Sequence, residues 1–218
     1  MTDSIQKYKG KDIDVTYNVE LCIHAAECTQ GLPEVFDTEK RPWIRPDKGN
    51  PEDISSVAQK CPSGALHFER KDGKDNEKPD EVNSIEIQKN GPLYARGDIK
   101  ITDMDGNILF RDTRLALCRC GASKNKPFCD NSHLEINFLS DEGMENEYAN
   151  DPSDNGNEPL TIKLRPNGPI FLEGQFEIRG SENTLIFTGN KAKLCRCGAS
   201  NIKPFCDGTH RTINFQTG

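Results

Sequence analysis

The sequence predicts an α+β protein built from small domains, and three observations support this fold class. A cysteine-rich stretch at 117–133, LCRCGASKNKPFCDNSH, returns at 194–210 as LCRCGASNIKPFCDGTH. Short alternating apolar and polar runs, separated by turn residues, precede each copy and are typical of β-hairpins. Only 33% of the 218 residues are hydrophobic. Each domain therefore has a thin core, a situation in which small domains commonly rely on bound metals for stability.

The part of the chain after residue 83 is a duplication. Of the 49 positions from Asn90 to Phe138, 22 are identical to the residue 77 positions later. Chance does not give this agreement, so one fold is used twice. We expect short strands in the first copy at 84–88, 93–96, 98–102 and 108–111, with turns at Asn90-Gly91-Pro92 and Asp105-Gly106-Asn107. A cysteine-bearing loop and a short helix follow, and Asp130 and Asp207 are the expected N-caps.

Composition shifts divide the chain into three domains and two connectors. The stretch KDGKDNEKPDEVN has one apolar residue, Val82, and DEGMENEYANDPSDNGNEP has seven acidic residues and no basic one. Such stretches lack the apolar surface that a packed core requires. The predicted order is an N-terminal domain at 1–70, a linker at 71–83, a first repeat domain at 84–140, an acidic connector at 141–159 and a second repeat domain at 160–218.

Each copy offers three cysteines and one histidine at the spacing C-x-C-x8-C-x3-H. The first two cysteines share an extended loop and can hold one metal atom. The third cysteine and the histidine are four residues apart, so one helical turn places them on the same side for a second metal atom. The candidate ligands are Cys118, Cys120, Cys129 and His133 in the first copy and Cys195, Cys197, Cys206 and His210 in the second.

The stretches KPFCDNSH and KPFCDGTH resemble the signature of the CDGSH iron–sulfur, or mitoNEET, family. The resemblance implies two [2Fe–2S] clusters, each held by the three cysteines and the histidine of one copy. It also implies a β-cap over the cluster loops. Family members often form intertwined homodimers, so tandem copies imply an internal pseudo-dimer and a monomeric protein with pseudo-two-fold symmetry.

Two positions depart from the CDGSH signature. Thr209 replaces its serine in the second copy, and Asn131 replaces its glycine in the first. Asparagine is among the non-glycine residues that best tolerate a positive φ angle. We therefore expect Asn131 to keep the left-handed backbone of the glycine that it replaces.

A tetrahedral zinc site is the alternative for the same donors, although zinc motifs usually pair Cys-x2–4-Cys turns. Disulfides are disfavoured by the odd number of nine cysteines. Arg119, Arg196, Lys126 and Lys203 lie close to the cysteines along the chain. These cations either offset the negative charge of a cluster or are ordinary solvated side chains.

The N-terminal domain resembles a divergent mono-cluster ferredoxin. Cys22, Cys28 and the Cys61-Pro62 pair take three of the four ligand positions of the bacterial C-x2-C-x2-C…C-P pattern, and Ala25 takes the other. Three thiolates suit a [3Fe–4S] cluster. A [4Fe–4S] cluster completed by water or by His24 is the rival, with His24 more simply explained as structural or exposed. A metal-free remnant is the third reading.

Two further elements are expected in this domain. We expect a strand at RPWI (41–44) and a helix that is capped by Asn50 and starts at Pro51.

The net charge of -7 argues against nucleic-acid or anionic-membrane binding. No signal-like or membrane-spanning apolar run occurs, which predicts a cytoplasmic protein. No nucleotide loop or nucleophile–base arrangement is visible, so we expect no enzyme activity. The sequence favours electron or cluster transfer to a redox or cluster-acceptor protein. A zinc-stapled interaction module, or a redox subunit of an enzyme complex, remains the alternative.

Overall fold

A computed structural model describes residues 4–140, 158–180 and 182–217. It divides into an N-terminal unit, Met1–Lys78, and a C-terminal unit, Pro79–Gly218. Strands dominate the described chain and the helices are few and short. Most of the predicted acidic connector, residues 141–157, lies outside the described residues.

The N-terminal unit contains a three-stranded antiparallel sheet and short helices. The strands are β1 (Ile5–Tyr8), β2 (Ile13–Asn18) and β3 (Leu66–Arg70), in the order β1-β2-β3. The helices are α1 (Glu27–Gly31) and α2 (Pro51–Gln59), with 3-10 turns at Val19–Leu21 and Pro46–Lys48. Val15, Phe36, Ile54 and Leu66 are buried in the core between them.

Two expectations for this unit have different outcomes. The helix prediction is confirmed, because α2 begins at Pro51 and the Asn50 side chain accepts a hydrogen bond from Asp53 N at 2.9 Å. The strand predicted at RPWI is wrong. Pro42 has no N–H to donate to a sheet, and this stretch makes only an isolated bridge between Phe36 and Ile44.

The predicted linker contains no helix or strand, and its first half is held by side chains of the N-terminal unit. Lys71 Nζ lies 2.6 Å from Asp14 Oδ1, and Glu77 Oε2 lies 2.8 Å from His67 Nδ1. The boundary between the two units falls at Lys78, within this stretch.

The C-terminal unit is built on one six-stranded sheet in which each repeat supplies three strands. The first repeat supplies β4 (Ser84–Ile87), β5 (Leu93–Thr102) and β6 (Ile108–Leu117), followed by α3 (Ser132–Glu135). The second supplies β7 (Leu160–Leu164), β8 (Ile170–Gly180) and β9 (Leu185–Leu194). The turns predicted within the first repeat are confirmed, with φ of 55° at Asn90 and 88° at Gly106.

Strands of the two repeats pair with each other. β4 runs parallel to the second half of β8, with Ser84 opposite Glu177. β7 runs parallel to the second half of β5, with Thr161 opposite Lys100. Thr161 is the counterpart of Ser84 in the second repeat, and Glu177 is the counterpart of Lys100. Each repeat therefore pairs its first strand with the long strand of the other repeat in the same register.

The two long strands, β5 and β8, each change neighbours along their length. Gly97 and Gly174 have φ of 122° and 106°, and the pairing register shifts at both positions. The first half of β5 pairs with β4 of its own repeat, and the second half pairs with β7. The strands expected at 93–96 and 98–102 are therefore one strand that bends at Gly97.

Candidate metal centres

Each cysteine loop begins at the end of a long strand and folds back on it. Cys118 follows β6 directly, and its N–H donates to Pro127 O at 2.8 Å. Cys129 N donates to Ala116 O at the same distance. These bonds bring the third cysteine beside the first. In the second repeat, Cys195 N and Cys206 N make the corresponding bonds to Pro204 O and Lys193 O, at 2.7 and 2.9 Å.

The first two thiols of each repeat are spaced as two ligands of one metal atom. The Sγ atoms of Cys118 and Cys120 lie 3.8 Å apart, and so do those of Cys195 and Cys197. Two sulfurs bound at about 2.3 Å to one tetrahedral metal are separated by about 3.8 Å. The hydrogen bond between the thiols lowers the pKa of Cys118 and of Cys195 and raises the pKa of their partners, Cys120 and Cys197. Each pair therefore offers a thiolate, the form that binds metals.

The third cysteine and the histidine of the first repeat form a second donor pair. Cys129 Sγ lies 3.5 Å from His133 Nδ1. The expected distance between sulfur and nitrogen ligands of one tetrahedral metal is about 3.6 Å. Cys129 is 4% exposed and His133 is 9% exposed. Burial, then the nearby Arg119 cation, lowers the pKa of His133, which keeps its imidazole neutral and able to bind a metal.

The residue between the cysteine and the histidine has the expected backbone. Asn131 has φ of 69° and its counterpart Gly208 has φ of 89°, so the prediction of a left-handed conformation is confirmed. The N-cap predictions at Asp130 and Asp207 are one residue out, because Asn131 and Gly208 occupy the N-cap positions. The Asp130 carboxylate still accepts from Ser132 N, at 3.0 Å.

The second repeat differs at its last two candidate ligands. His210 Nδ1 lies 3.0 Å from Asn167 O, whereas the same atom of His133 faces a thiol. Cys206 and His210 are partly exposed, in contrast to the buried Cys129 and His133. The expected helix of this repeat is a 3-10 turn, Thr209–Arg211. The shared motif therefore gives two surroundings of unequal exposure.

The cysteine loops of the two repeats touch each other at two glycines. A Cβ built on Gly121 would lie 2.6 Å from Cys197 O, and one built on Gly198 would lie 2.5 Å from Cys120 O. Each glycine thus allows the backbone of the other repeat's second cysteine to approach. The sequence shows these glycines in both motifs but does not show what they face.

The three cysteines of the N-terminal unit line one cavity of about 670 Å³. Cys22 follows the Val19–Leu21 turn, Cys28 lies in α1 and Cys61 follows α2. Burial raises the pKa of Cys28 to about 11, and the charges of Cys61 and Cys22 add to the shift. His24 and Ala25 line the same cavity.

Two family models match the regions of the chain in which these three sites lie. A model described as "Iron-binding zinc finger CDGSH type" matches residues 90–134 and again 167–211. A model described as "Divergent 4Fe-4S mono-cluster" matches residues 8–71. The chain therefore carries one divergent 4Fe–4S mono-cluster domain and two tandem CDGSH iron-binding domains.

Among curated proteins, the uncharacterized protein YjdI of Escherichia coli K12 is 38% identical to this chain over 64 residues. The protein of the same name from Escherichia coli O157:H7 gives the same match. The match covers 29% of this chain and 84% of each relative.

The arginine between the first two cysteines of each CDGSH motif is buried, so its reading as a solvated cation is wrong. Arg119 is 1% exposed and donates to Gly91 O and Gln88 O at 3.0 and 2.6 Å. Arg196 is 5% exposed, and within the described residues its Nε has no hydrogen-bond partner. Burial lowers the pKa of Arg196, while the Cys118 thiolate of the other repeat opposes that shift. A buried cation with an unused donor beside the cysteines fits a negatively charged cluster.

The lysines of the CDGSH motifs have a local role. Lys126 Nζ donates to Ser123 O at 2.6 Å, and Lys203 Nζ contacts Ser200 O in the second motif. They close the loop between the second and third cysteines.

An aromatic wall of the N-terminal cavity was not anticipated from the sequence. Tyr17 and Trp43 meet edge to face, with ring centroids 4.8 Å apart, and both line the cavity. Burial raises the pKa of Tyr17, and its hydrogen bond with Cys22 adds to the shift. The alternation in β2 places Tyr17 on a strand, but it does not indicate a cysteine partner.

The described residues contain neither a compact group of ligands for a single metal ion nor a membrane-spanning helix. Within 4–140, 158–180 and 182–217, no three His, Cys, Asp or Glu side chains gather closely enough to hold a single metal ion. No helix in that part of the chain is long and apolar enough to cross a membrane.

Proposed function

We propose that this chain is a multi-cluster iron–sulfur protein that transfers electrons or clusters. Its CDGSH repeats each hold one [2Fe–2S] cluster and its N-terminal unit holds a third, cuboidal cluster. The observation that carries the proposal is the pair of donor distances in the first repeat, 3.8 Å between two thiols and 3.5 Å between a thiol and an imidazole. Each fits one tetrahedral metal, and the two iron atoms of a [2Fe–2S] cluster need two such pairs.

The ligands of the two [2Fe–2S] clusters are the residues of the repeated motif. They are Cys118, Cys120, Cys129 and His133 for the first cluster, and Cys195, Cys197, Cys206 and His210 for the second. The ligands offered to the third cluster are Cys22, Cys28 and Cys61. When bound, such clusters supply one-electron redox chemistry.

The chain tunes these sites with backbone hydrogen bonds. In the first repeat, Asn131 N donates to Cys129 Sγ at 3.4 Å and Ala122 N donates to Cys120 Sγ at 3.5 Å. Gly208 N donates to Cys206 Sγ at 3.4 Å in the second. Donors to ligand sulfur stabilise negative charge there, and histidine in place of a thiolate makes the site less negative. Both effects raise the reduction potential.

We further propose that the C-terminal unit is an intramolecular pseudo-dimer and that the protein is a monomer. The reciprocal pairing of β4 with β8 and of β7 with β5 supports this proposal. Each repeat lends one short strand to the other, so neither repeat has a complete set of strand neighbours by itself.

The biological role that we propose is cytoplasmic and non-enzymatic, with a redox or cluster-acceptor protein as partner. The competing roles are a zinc-stapled interaction module and a redox subunit of an enzyme complex. The match to an iron-binding family favours iron over zinc.

Metal and sulfide analysis of the full-length protein tests the proposal. We expect about four iron atoms and four sulfides per chain from the two repeats, with three to four more irons from the N-terminal unit. The protein should be red-brown, with charge-transfer absorption in the visible range. Colourless protein with about one zinc per CDGSH motif would refute the proposal.

A further inference from the structure

The N-terminal unit presents three thiols to a site that matches a 4Fe–4S model. A cuboidal cluster with four irons has four corners, and Cys22, Cys28 and Cys61 supply three terminal ligands. Ala25, at the second-ligand position of the ferredoxin pattern, offers only a methyl group. The fourth corner therefore needs a different donor, and the loop between Cys22 and Cys28 is the place to look for it.

This loop has an uncommon backbone. His24 has φ of 53° and Ala26 has φ of 63°, although neither is glycine. A left-handed backbone is unfavourable for a residue other than glycine, and such residues cluster at ligand sites. The two left-handed residues flank Ala25, and His24 lines the same cavity as the three cysteines.

Three other polar side chains of the cavity wall are engaged in hydrogen bonds. Tyr8 Oη donates to Gln6 Oε1 at 2.6 Å, and Thr29 Oγ1 donates to Ala26 O at 3.2 Å. Arg41 donates to the carbonyls of Thr38 and Lys40, and a guanidinium is not a metal ligand.

Two side chains of this wall remain that have metal-binding chemistry, His24 and Glu27. In the described part of the chain, no hydrogen bond or ion pair holds the imidazole of His24. Its side chain is exposed at the cavity, so no core packing prevents its ring from turning toward a cluster. Glu27 begins α1, and its carboxylate would add a negative charge to a site that already has three thiolates. Because like charges in one site repel, the imidazole is favoured.

We propose that His24 is the fourth protein ligand of the N-terminal cluster, which makes it a [4Fe–4S] cluster with three cysteines and one histidine. This inference rests on the proposed function. The neutral imidazole gives the site one negative charge fewer than four thiolates would give. Its reduction potential is therefore higher than that of an all-cysteine cluster.

The test uses full-length protein purified anaerobically, with the variants His24→Ala, His24→Cys and Glu27→Gln. Low-temperature electron paramagnetic resonance of oxidised protein is the readout, alongside iron per chain. Oxidised [2Fe–2S] and [4Fe–4S] clusters are silent, whereas an oxidised [3Fe–4S] cluster gives a signal near about g = 2. We expect silent wild type, silent Glu27→Gln and silent His24→Cys. His24→Ala should lose about one iron on mild oxidation and give about one spin per chain.

Several outcomes would overturn the inference. A signal of about one spin in wild type would mean that three thiolates hold a [3Fe–4S] cluster without His24. A silent His24→Ala with full iron would assign the fourth corner to another donor, and a signal confined to Glu27→Gln would assign it to Glu27. If wild type contained about four irons, enough only for the CDGSH repeats, the proposal of a third cluster would itself fail. If His24→Ala does not accumulate, a [3Fe–4S] signal in His24→Cys would also count against the inference.

Discussion

Replacing one glycine in the second repeat should weaken the metal site of the first. Gly198 follows Cys197, but the Cβ of an alanine there would lie 2.5 Å from Cys120 O and 2.9 Å from Cys120 C, in the other repeat. Cβ atoms do not approach a backbone carbonyl so closely. The loop that carries Cys120 must therefore move in Gly198→Ala, and its thiol shifts relative to that of Cys118.

The size of the effect follows from two contributions. Gly198 has φ of 80°, and a left-handed alanine costs about 1–2 kcal/mol, of which about 0.4–1 kcal/mol is offset by the stiffer unfolded chain. Relief of the overlap costs a further 1–3 kcal/mol or so, as overpacking does elsewhere. Gly106 is a matched control, because its φ is 88° and nothing lies within 4 Å of its Cβ position. Gly198→Ala should thus exceed Gly106→Ala by about 1–3 kcal/mol.

Cluster retention in full-length protein measures this difference. Visible absorption across a urea series gives the midpoint of cluster loss for each variant, and alkylation of released thiols with peptide mass spectrometry shows which repeat opens. We expect a lower midpoint for Gly198→Ala, with Cys120 and Cys118 among the first thiols labelled. Gly121→Ala should instead weaken the site of the second repeat, so that Cys197 is among the first thiols labelled, because the added Cβ would lie 2.6 Å from Cys197 O. Equal midpoints for Gly198→Ala and Gly106→Ala would show that the loop contact does not matter.

Two further predictions concern acid stability and iron release. The hydrogen bond from Lys71 holds the pKa of Asp14 at about 2, below its ordinary value. Asp14→Asn should therefore reduce the free energy of unfolding of the N-terminal unit by about 2 kcal/mol at pH 7, followed by the fluorescence of Trp43, the only tryptophan. The stabilisation is complete above pH 4 or so and is lost as the pH falls toward 2, so a difference that stays constant down to pH 2 would contradict the assignment. Separately, an iron chelator should release the second-repeat cluster first, because Cys206 and His210 are partly exposed and their counterparts are buried; alkylation of the first-repeat thiols before Cys206 would reverse that order.

Local rules explain what the sequence could predict. The metal donors stand at short, fixed spacings, and one turn of chain is enough to bring Cys129 and His133 together. The positive φ of Asn131 follows from its replacing a glycine, and the cap at Asn50 follows from Asn-Pro before an amphipathic run. The family that these motifs indicate is confirmed by matches over 90–134, 167–211 and 8–71.

The remaining features depend on contacts between residues that are far apart in the chain. The buried guanidinium of Arg119 is held by the carbonyls of Gly91 and Gln88, which no local pattern links to the motif. The strand expected at RPWI fails for a related reason. Trp43 and Ile44 have high strand propensity, but Pro42 cannot donate to a sheet, Trp43 packs against Tyr17 and the chain makes no ladder there. Strand identity depends on the available partner as much as on propensity.

Joining two CDGSH repeats in one chain allows their sites to differ while their backbones still pair. In a symmetric homodimer, every substitution appears in both sites. Here the strand registers repeat with a shift of 77 positions, yet the two motifs differ in sequence, because Asn131 of the first corresponds to Gly208 of the second. The Nδ1 atom of His133 faces a thiol, whereas that of His210 faces a carbonyl. The two loops approach each other closely at Gly121 and Gly198, so we expect a change in one loop to alter the other site. On the proposed function, this arrangement suits a protein that retains one cluster in a buried site and exchanges electrons or a cluster with its partner through the more exposed one.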